Sequence, residues 1–281
     1  MTFPDLRPGD HIKVDRGPYH HHGIYIGDNQ VIHFTGASKR PEDALIRLDS
    51  IDNFARGGQV QVVEYAQCLP ATEVLLRAHD KRGDDGYKLF ANNCEHLARW
   101  CKTGHHESQQ ARNVAAGAVG VGGSTALGAG SIGVVAGAGT VAGLSGPGIM
   151  SGLATVGGTI GMGAIGGITV LATAPAVLTT AAMHRALKDD PCLPAQERTA
   201  RKVGRWGTTA GAAAAGCGSV GLISAAGVPG LSAAGLTSGL AAIGGAVGGG
   251  MAAGVFVTVA APAVIASFIG WGLYRLLRRT K

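Results

Sequence analysis

From Asn113 to Met183, and again from Gly207 to Tyr274, this 281-residue chain has no charged side chain. Two such stretches cannot form an ordinary water-facing exterior, which mixes charges of both signs. Acidic residues are the scarcest group in the second half. Residues 1–112 hold 14 Lys+Arg and 15 Asp+Glu, whereas residues 113–281 hold 10 and only 3. The formal net charge of +6 therefore arises in the second half, within His184–Arg205 and Arg275–Lys281. A nucleic-acid binder spreads basic residues over a folded face with aromatics among them. Here they flank uncharged blocks, so the charge suits membrane topology and not DNA or RNA. Cysteine is sparse and odd in number: Cys68, Cys94, Cys101, Cys192 and Cys217. Their spacings match no disulfide framework or zinc knuckle, which points to reduced thiols in a cytosol-facing protein. Met1–Pro8 lacks the apolar core and cleavage site of a signal peptide. Membrane insertion is then expected to rely on the C-terminal half.

The first hundred residues carry the chemistry. Pro8-Gly9-Asp10 reads as a turn and His11–Val14 as a strand. His22–Ile26 and Val31–Phe34 read as a hairpin around Gly27-Asp28-Asn29-Gln30. His21 and His33 then fall on neighbouring antiparallel strands, within cross-strand reach. A third strand is expected at Val60–Tyr65 and a helix over Ala71–Arg82. The short apolar segment Tyr87–Phe90 leads through Ala91-Asn92-Asn93 into an amphipathic helix reaching Trp100. Cys94 sits in the first turn of that helix, with Asn92 or Asn93 as its cap. Unpaired N–H groups and the helix dipole stabilise a thiolate there, so a pKa below the usual value is expected. The same N–H groups can hold an oxyanion. A cysteine with two histidines is the minimum set for thiol nucleophilic catalysis.

Bland readings stand beside this one. A single cysteine is more often a small buried residue than a nucleophile, and Cys101, two turns further on, reads as packing. His20 and His22 share one strand face and could join His33 as zinc ligands, although no ligand cluster at metal spacing supports it. His96, two residues past Cys94, reads as structural, and Tyr25 is left open between core and site.

Pro8-Gly9-Asp10, His21-His22-Gly23-Ile24-Tyr25-Ile26-Gly27, Val31-Ile32-His33-Phe34 and Asn93-Cys94-Glu95-His96-Leu97, in that order, resemble the lecithin:retinol acyltransferase-like domain family over about residues 4–104. These thiol acyltransferases and phospholipases are circularly permuted relatives of NlpC-type cysteine peptidases. The resemblance implies Cys94 as nucleophile, His21 as general base and His33 as the second, orienting histidine. It implies neither a cofactor nor a metal, and it does not select a retinoid substrate.

The charge-free blocks are duplicated. Ser151–Val177 aligns without gaps to Ser238–Val264 at 14 of 27 identical positions, and Pro175 coincides with Pro262. So much glycine disfavours a soluble helix, at about 1 kcal/mol each relative to alanine. In a bilayer small residues let helices approach closely. Gly157/Gly161, Gly163/Gly167, Gly244/Gly248 and Gly250/Gly254 have the small-xxx-small spacing and offer faces for helix self-association. Each block has room for two spans of about 20 residues. They would break near Ser145–Gly148 and Val228–Gly230. The positive-inside rule then places the catalytic domain, linker and tail on the cytoplasmic side of a four-span protein.

The expected architecture is α+β: a small antiparallel sheet with a nucleophile-bearing helix, permuted papain-like or NlpC-like, followed by a Gly/Ala-rich all-α membrane region. Its expected parts are residues 1–110, catalytic; 111–183, first repeat; 184–206, basic linker; 207–274, second repeat; and 275–281, basic tail. The leading function is phospholipid ester cleavage through a cysteine acyl thioester, with the acyl group passed to water or an acceptor. Amide cleavage by the same cysteine is one alternative. A pore-forming or membrane-disrupting role for the repeats is another.

Overall fold

The computed structural model of the chain describes residues 5–35, 43–88, 92–118 and 122–279. Leu89, Phe90 and Ala91 of the expected apolar segment lie outside the described residues. The fold is α+β. Contacts divide it into two compact units, Met1–Val114 with Asp190–Arg198, and Ala115–Asp189 with Thr199–Lys281.

The first unit is built on strands β1 (His11–Asp15), β2 (His20–Gly27), β3 (Gln30–Thr35), β4 (Leu45–Ser50) and β5 (Val60–Val62). They form one antiparallel sheet in the order β4-β3-β2-β1-β5. The hairpin between β2 and β3 turns on Asp28 and Asn29, both left-handed at φ 48° and 58°, as a two-residue primed turn requires. The strand expected at Val60–Tyr65 is only three residues long. Strand β4 and the short helix α1 (Ile51–Ala55) arise where no strand or helix is expected, α1 being capped by the Ser50 side chain. Helix α2 (Ala71–Asp80) and helix α3 (Cys94–Thr103) follow.

Alternation in the strands gives the sheet two different faces. Ile24, Ile32 and Phe34 pack with Val74 and Ala78 of α2 and with Leu97, Ala98 and Cys101 of α3. Ile12, Val14 and Val31 pack on the other face with Ile51 and Phe54 of α1. Helix α4 (Gln109–Gly117) closes this unit's main segment.

The second unit is a structural duplication. Helices α5 (Gly123–Ala138), α6 (Gly146–Gly158) and α7 (Gly163–Ala186) are repeated by α8 (Ala195–Ala226), α9 (Ala233–Gly245) and α10 (Gly250–Arg279). Ser145 caps α6 through the Gly148 N–H, and Ser232 caps α9 through the Gly235 N–H. The core pairs Val135, Ile149, Leu153 and Ile168 with Ile223, Leu236, Leu240 and Val255 at equivalent places. The glycines are equivalent too. A Cβ on Gly152 would collide with the Val135 carbonyl, and one on Gly239 with the Ile223 carbonyl. Gly157 and Gly244 meet the carbonyls of Gly163 and Gly250 in the same way.

Each repeat is thus three helices, where two are expected from the prolines. The additional break falls at Thr159–Met162 and at Ala246–Gly249, where no proline marks it. Gly161 and Gly248, at φ 72° and 76°, reverse the chain instead. The basic stretch expected as a linker is partly helical, since α8 begins at Ala195 and carries Arg198, Arg201, Lys202 and Arg205.

Candidate active site

Strand β2 sets the site. It pairs with β1 as far as His20↔Asp15, but its pairing with β3 reaches only Gly23↔His33. The segment His20–His22 therefore has a β-partner on one edge only. Gln110, in the first turn of α4, occupies the other edge. Its Oε1 accepts from the His20 N–H at 2.7 Å and its Nε2 donates to the His20 carbonyl at 3.0 Å. The Cys94 thiol reaches the same carbonyl, with Sγ 3.9 Å from the oxygen.

Asn93 makes helix α3 start where it does. Its side chain accepts from the N–H groups of Glu95 and His96, both at 3.0 Å, while His96 Nδ1 accepts from the Asn93 N–H at 3.3 Å. His96 thus completes a capping box, a structural part. Glu95 is buried and holds the start of α4 in place. Its Oε2 accepts from Ser108 Oγ at 2.6 Å and from the Gln110 N–H at 2.9 Å. Burial pushes its carboxyl up, but His22, Ser108 and the backbone N–H groups of Gln110 and Gln109 together hold it below the ordinary range.

His21 and His33 are brought together. Nε2 of His21 lies 2.9 Å from Nδ1 of His33, and the rings meet edge to face at 5.0 Å. Both rings rest on Phe54, each at 5.2 Å. Gly23 makes this possible, because a Cβ there would meet Val31, Phe54 and the Cβ of His33. The His33 ring also has the Asp49 carboxylate 3.9 Å from Nε2. His22 points to the opposite face, where its Nδ1 is 2.8 Å from His11 Nε2 and His11 Nδ1 is 2.7 Å from Tyr65 Oη. His22 and His33 thus face away from each other, so a zinc site joining His20, His22 and His33 does not form. Tyr25 packs with the α1-side core.

Cys94 does not bond to either imidazole in this state; its thiol bonds to the peptide beside His21. The thiol also departs from its expected acidity. Burial pushes the Cys94 pKa up to about 12, against the pull of the backbone N–H groups of His22, Glu95 and Cys94. Only 4% of Cys94 is exposed, so desolvation of the thiolate outweighs the helix N-terminus. Burial likewise drives His21 down to about 3, aided by His33, and His33 down to about 4. At neutral pH the resting groups are a thiol and two neutral imidazoles, not a thiolate–imidazolium pair.

His11, Tyr65, Glu95, Ser108 and Gln110 are not singled out by sequence reasoning. Glu95 adjoins the cysteine and offered a local signal. The others reach the site through strand register or the position of α4, which no short motif encodes.

Comparison with known proteins places the first unit in a family. Residues 4–107 match the family described as lecithin retinol acyltransferase. Lecithin retinol acyltransferase of Rattus norvegicus is 31% identical over 131 residues, covering 37% of this chain and 57% of that protein. Phospholipase A and acyltransferase 3 of Mus musculus is 30% identical over 151 residues, covering 47% of this chain and 92% of that protein. The human protein of that name is 30% identical over 140 residues, covering 43% and 86%. The chain thus spans little more than half the length of the lecithin retinol acyltransferase relative and nearly all of the phospholipase A and acyltransferase relatives. With the Asn93–Leu97 motif, the paired histidines and these matches on one unit, the chain belongs to the lecithin retinol acyltransferase family.

Proposed function

We propose that this protein is a membrane-associated thiol acyltransferase or phospholipase with Cys94 as nucleophile, His21 as general base and His33 as its orienting partner. The observation that carries the reading is the place of the thiol. It sits at the open edge of β2, bonded to the peptide next to His21, whose own ring is fixed by His33. The relatives named as acyltransferases and phospholipases support the reaction class.

The proposed chemistry starts at the thiol. Cys94 packs on the Ile24 and Ile32 side of the sheet and the His21 ring on the Phe54 side, so Sγ must leave the His20 carbonyl and pass around the open edge of β2 to give its proton to Nδ1 of His21, the ring nitrogen that His33 does not occupy. The productive tautomer has His21 Nε2–H donating to His33 Nδ1 and the His33 proton on Nε2, towards Asp49. The Phe34 carbonyl, 2.9 Å from His33 Nδ1, favours the opposite tautomer at rest. The thiolate sulfur attacks a phospholipid ester carbonyl. The N–H groups around Cys94 steady the oxyanion. The ester C–O bond breaks, the lysolipid alkoxide takes the proton from His21, and an acyl thioester remains. Water or a nucleophilic acceptor then loses its proton to His21 and attacks the thioester carbonyl; the C–S bond breaks, the acyl group leaves on the acceptor, and the Cys94 sulfur takes the proton back from His21.

The apolar second unit supports membrane association. Helices α7, α8 and α10 are each long and apolar enough to cross a bilayer. The reading is tested by the intact mass of the full chain after incubation with a short-chain phosphatidylcholine. Gain of one acyl chain on the wild type and none on Cys94→Ala is expected. Phospholipid turnover surviving in Cys94→Ala would sink the assignment.

A further inference from the structure

The ends of the second unit differ in kind. At one end, Leu187 after α7, Ala200 in α8 and Tyr274 in α10 form a cluster with Met183, Trp271 and Leu277. The basic residues of the unit gather there: Arg185, Lys188, Arg201, Lys202, Arg205, Arg275 and Arg278 lie within or beside the helix segments that meet in it. Trp206, Trp271 and Tyr274 are at the same end. The legs of each repeat run antiparallel from it. Gly204 packs on Gly270 and Tyr274, whereas at the far end of α8 Ile223 packs on Gly239 of α9. Gly123 faces Leu178, whereas at the far end of α5 Val135 packs on Gly152 of α6. The short helices α6 and α9 therefore close the two hairpins at the far end. At 13 residues each, they are about 20 Å long and do not cross the roughly 30 Å hydrocarbon core.

The turns around these tips contain no charged and no aromatic residue. They nevertheless expose Val141, Leu144, Ile160 and Met162 in the first repeat and Val228, Leu231 and Val247 in the second. A protein whose loops emerge into water on the far side of a bilayer carries a second interfacial belt of Trp and Tyr there. This unit has its belt and its charges at one end only.

We propose that the second unit is a monotopic anchor: two hairpins enter from one surface, and their tips, α6 and α9 with the turns beside them, stay in hydrocarbon. The partner is a lipid body with a single interface, a phospholipid monolayer over neutral lipid. The proposal rests on the membrane reading given above and narrows it. It accounts for apolar tips that a four-span arrangement leaves in water.

The test uses the full chain with two preparations: triacylglycerol droplets coated with phosphatidylcholine, and phosphatidylcholine vesicles. The wild type is expected to float with both. Leu144→Asp with Leu231→Asp is expected to lose droplet binding at least tenfold, since a buried charge is strongly disfavoured. Leu144→Trp and Leu231→Trp keep the tips apolar. Their added emission in vesicles is expected to be quenched by lipids brominated near the chain ends, and untouched by iodide outside or trapped inside. Quenching by trapped iodide, or droplet binding that the two aspartates do not weaken, overturns the monotopic arrangement while leaving membrane association intact. Failure of the wild type to float with either preparation overturns the membrane reading itself.

Discussion

Cys94, His21 and His33 titrate far from their usual ranges because all three are desolvated, and this sets a pH signature. His21 at about 3 and His33 at about 4 both lie below the ordinary value of 6.5. A depressed histidine favours folding while neutral. Its stabilising contribution is complete above about 6.5 and is lost as pH falls towards 4 and 3. His22, lowered to about 4, adds to the same window. Thermal unfolding of the full chain is therefore expected to be flat between about pH 7 and 8, to fall steadily below pH 6.5, and to fall again above about pH 9 as the buried Cys94 and Cys101 thiols resist ionisation. A melting temperature that rises on acidification from neutral pH would contradict the buried, neutral rings. While the chain stays folded, phospholipid turnover should hold to about pH 4 and fall towards pH 3, because a protonated His21 cannot accept the thiol proton. His21→Asn is expected to lower kcat by about 10²–10⁴-fold, the usual range for a general base.

At the scale of elements, one cap and one set of glycines carry the most consequence. Asn93 satisfies two N–H groups of α3, so Asn93→Ala is expected to cost about 1 kcal/mol. It should also loosen Cys94, seen as faster alkylation by iodoacetamide. The glycines of the repeats divide by what surrounds them. Gly157 and Gly244 face backbone carbonyls, so Gly157→Val and Gly244→Val are each expected to destabilise the detergent-solubilised protein by about 1–3 kcal/mol or more. Gly158 sits beside Gly157 with open space around it, and Gly158→Ala should be neutral or stabilising by up to about 1 kcal/mol. Equal losses at all three positions in thermal melts would mean that close packing is not the reason for the glycines.

For the whole molecule, the first unit is not continuous in sequence. The segment Asp190–Arg198, between the two repeats, belongs to it. The Cys192 carbonyl accepts from the Ala66 N–H at 2.8 Å, and Asp190 forms an ion pair with Arg99 of α3, both side chains nearly inaccessible. Removing one partner of a buried pair costs about 3–5 kcal/mol, because the other charge stays buried. Asp190→Ala is accordingly expected to lower the unfolding midpoint of the first unit markedly, read by its tryptophan Trp100. A fragment ending near residue 112 lacks this segment and should melt earlier than the same unit in the full chain. Equal stability would show that the segment only rests on the surface.

The nucleophile box, the hairpin carrying His21 and His33, the Asn93 cap and the duplication were all legible in the sequence, because each depends on neighbours within a few residues. Asn-Cys-Glu-His starts a helix by local capping. Asp28-Asn29 turns a hairpin by backbone preference, and a repeat is visible as identity. What only the tertiary structure decided depends on packing between distant segments. Burial turned the expected low-pKa thiolate into a protonated thiol, since desolvation of a charge is set by what encloses it and not by its own helix. The edge left by β3 brought Gln110, ninety residues away, onto the peptide of His20. A glycine reversal without proline split each expected two-helix block into three. Asp190, one of the linker's three acidic residues, found its partner on α3, an ion pair that no spacing in the chain foretells.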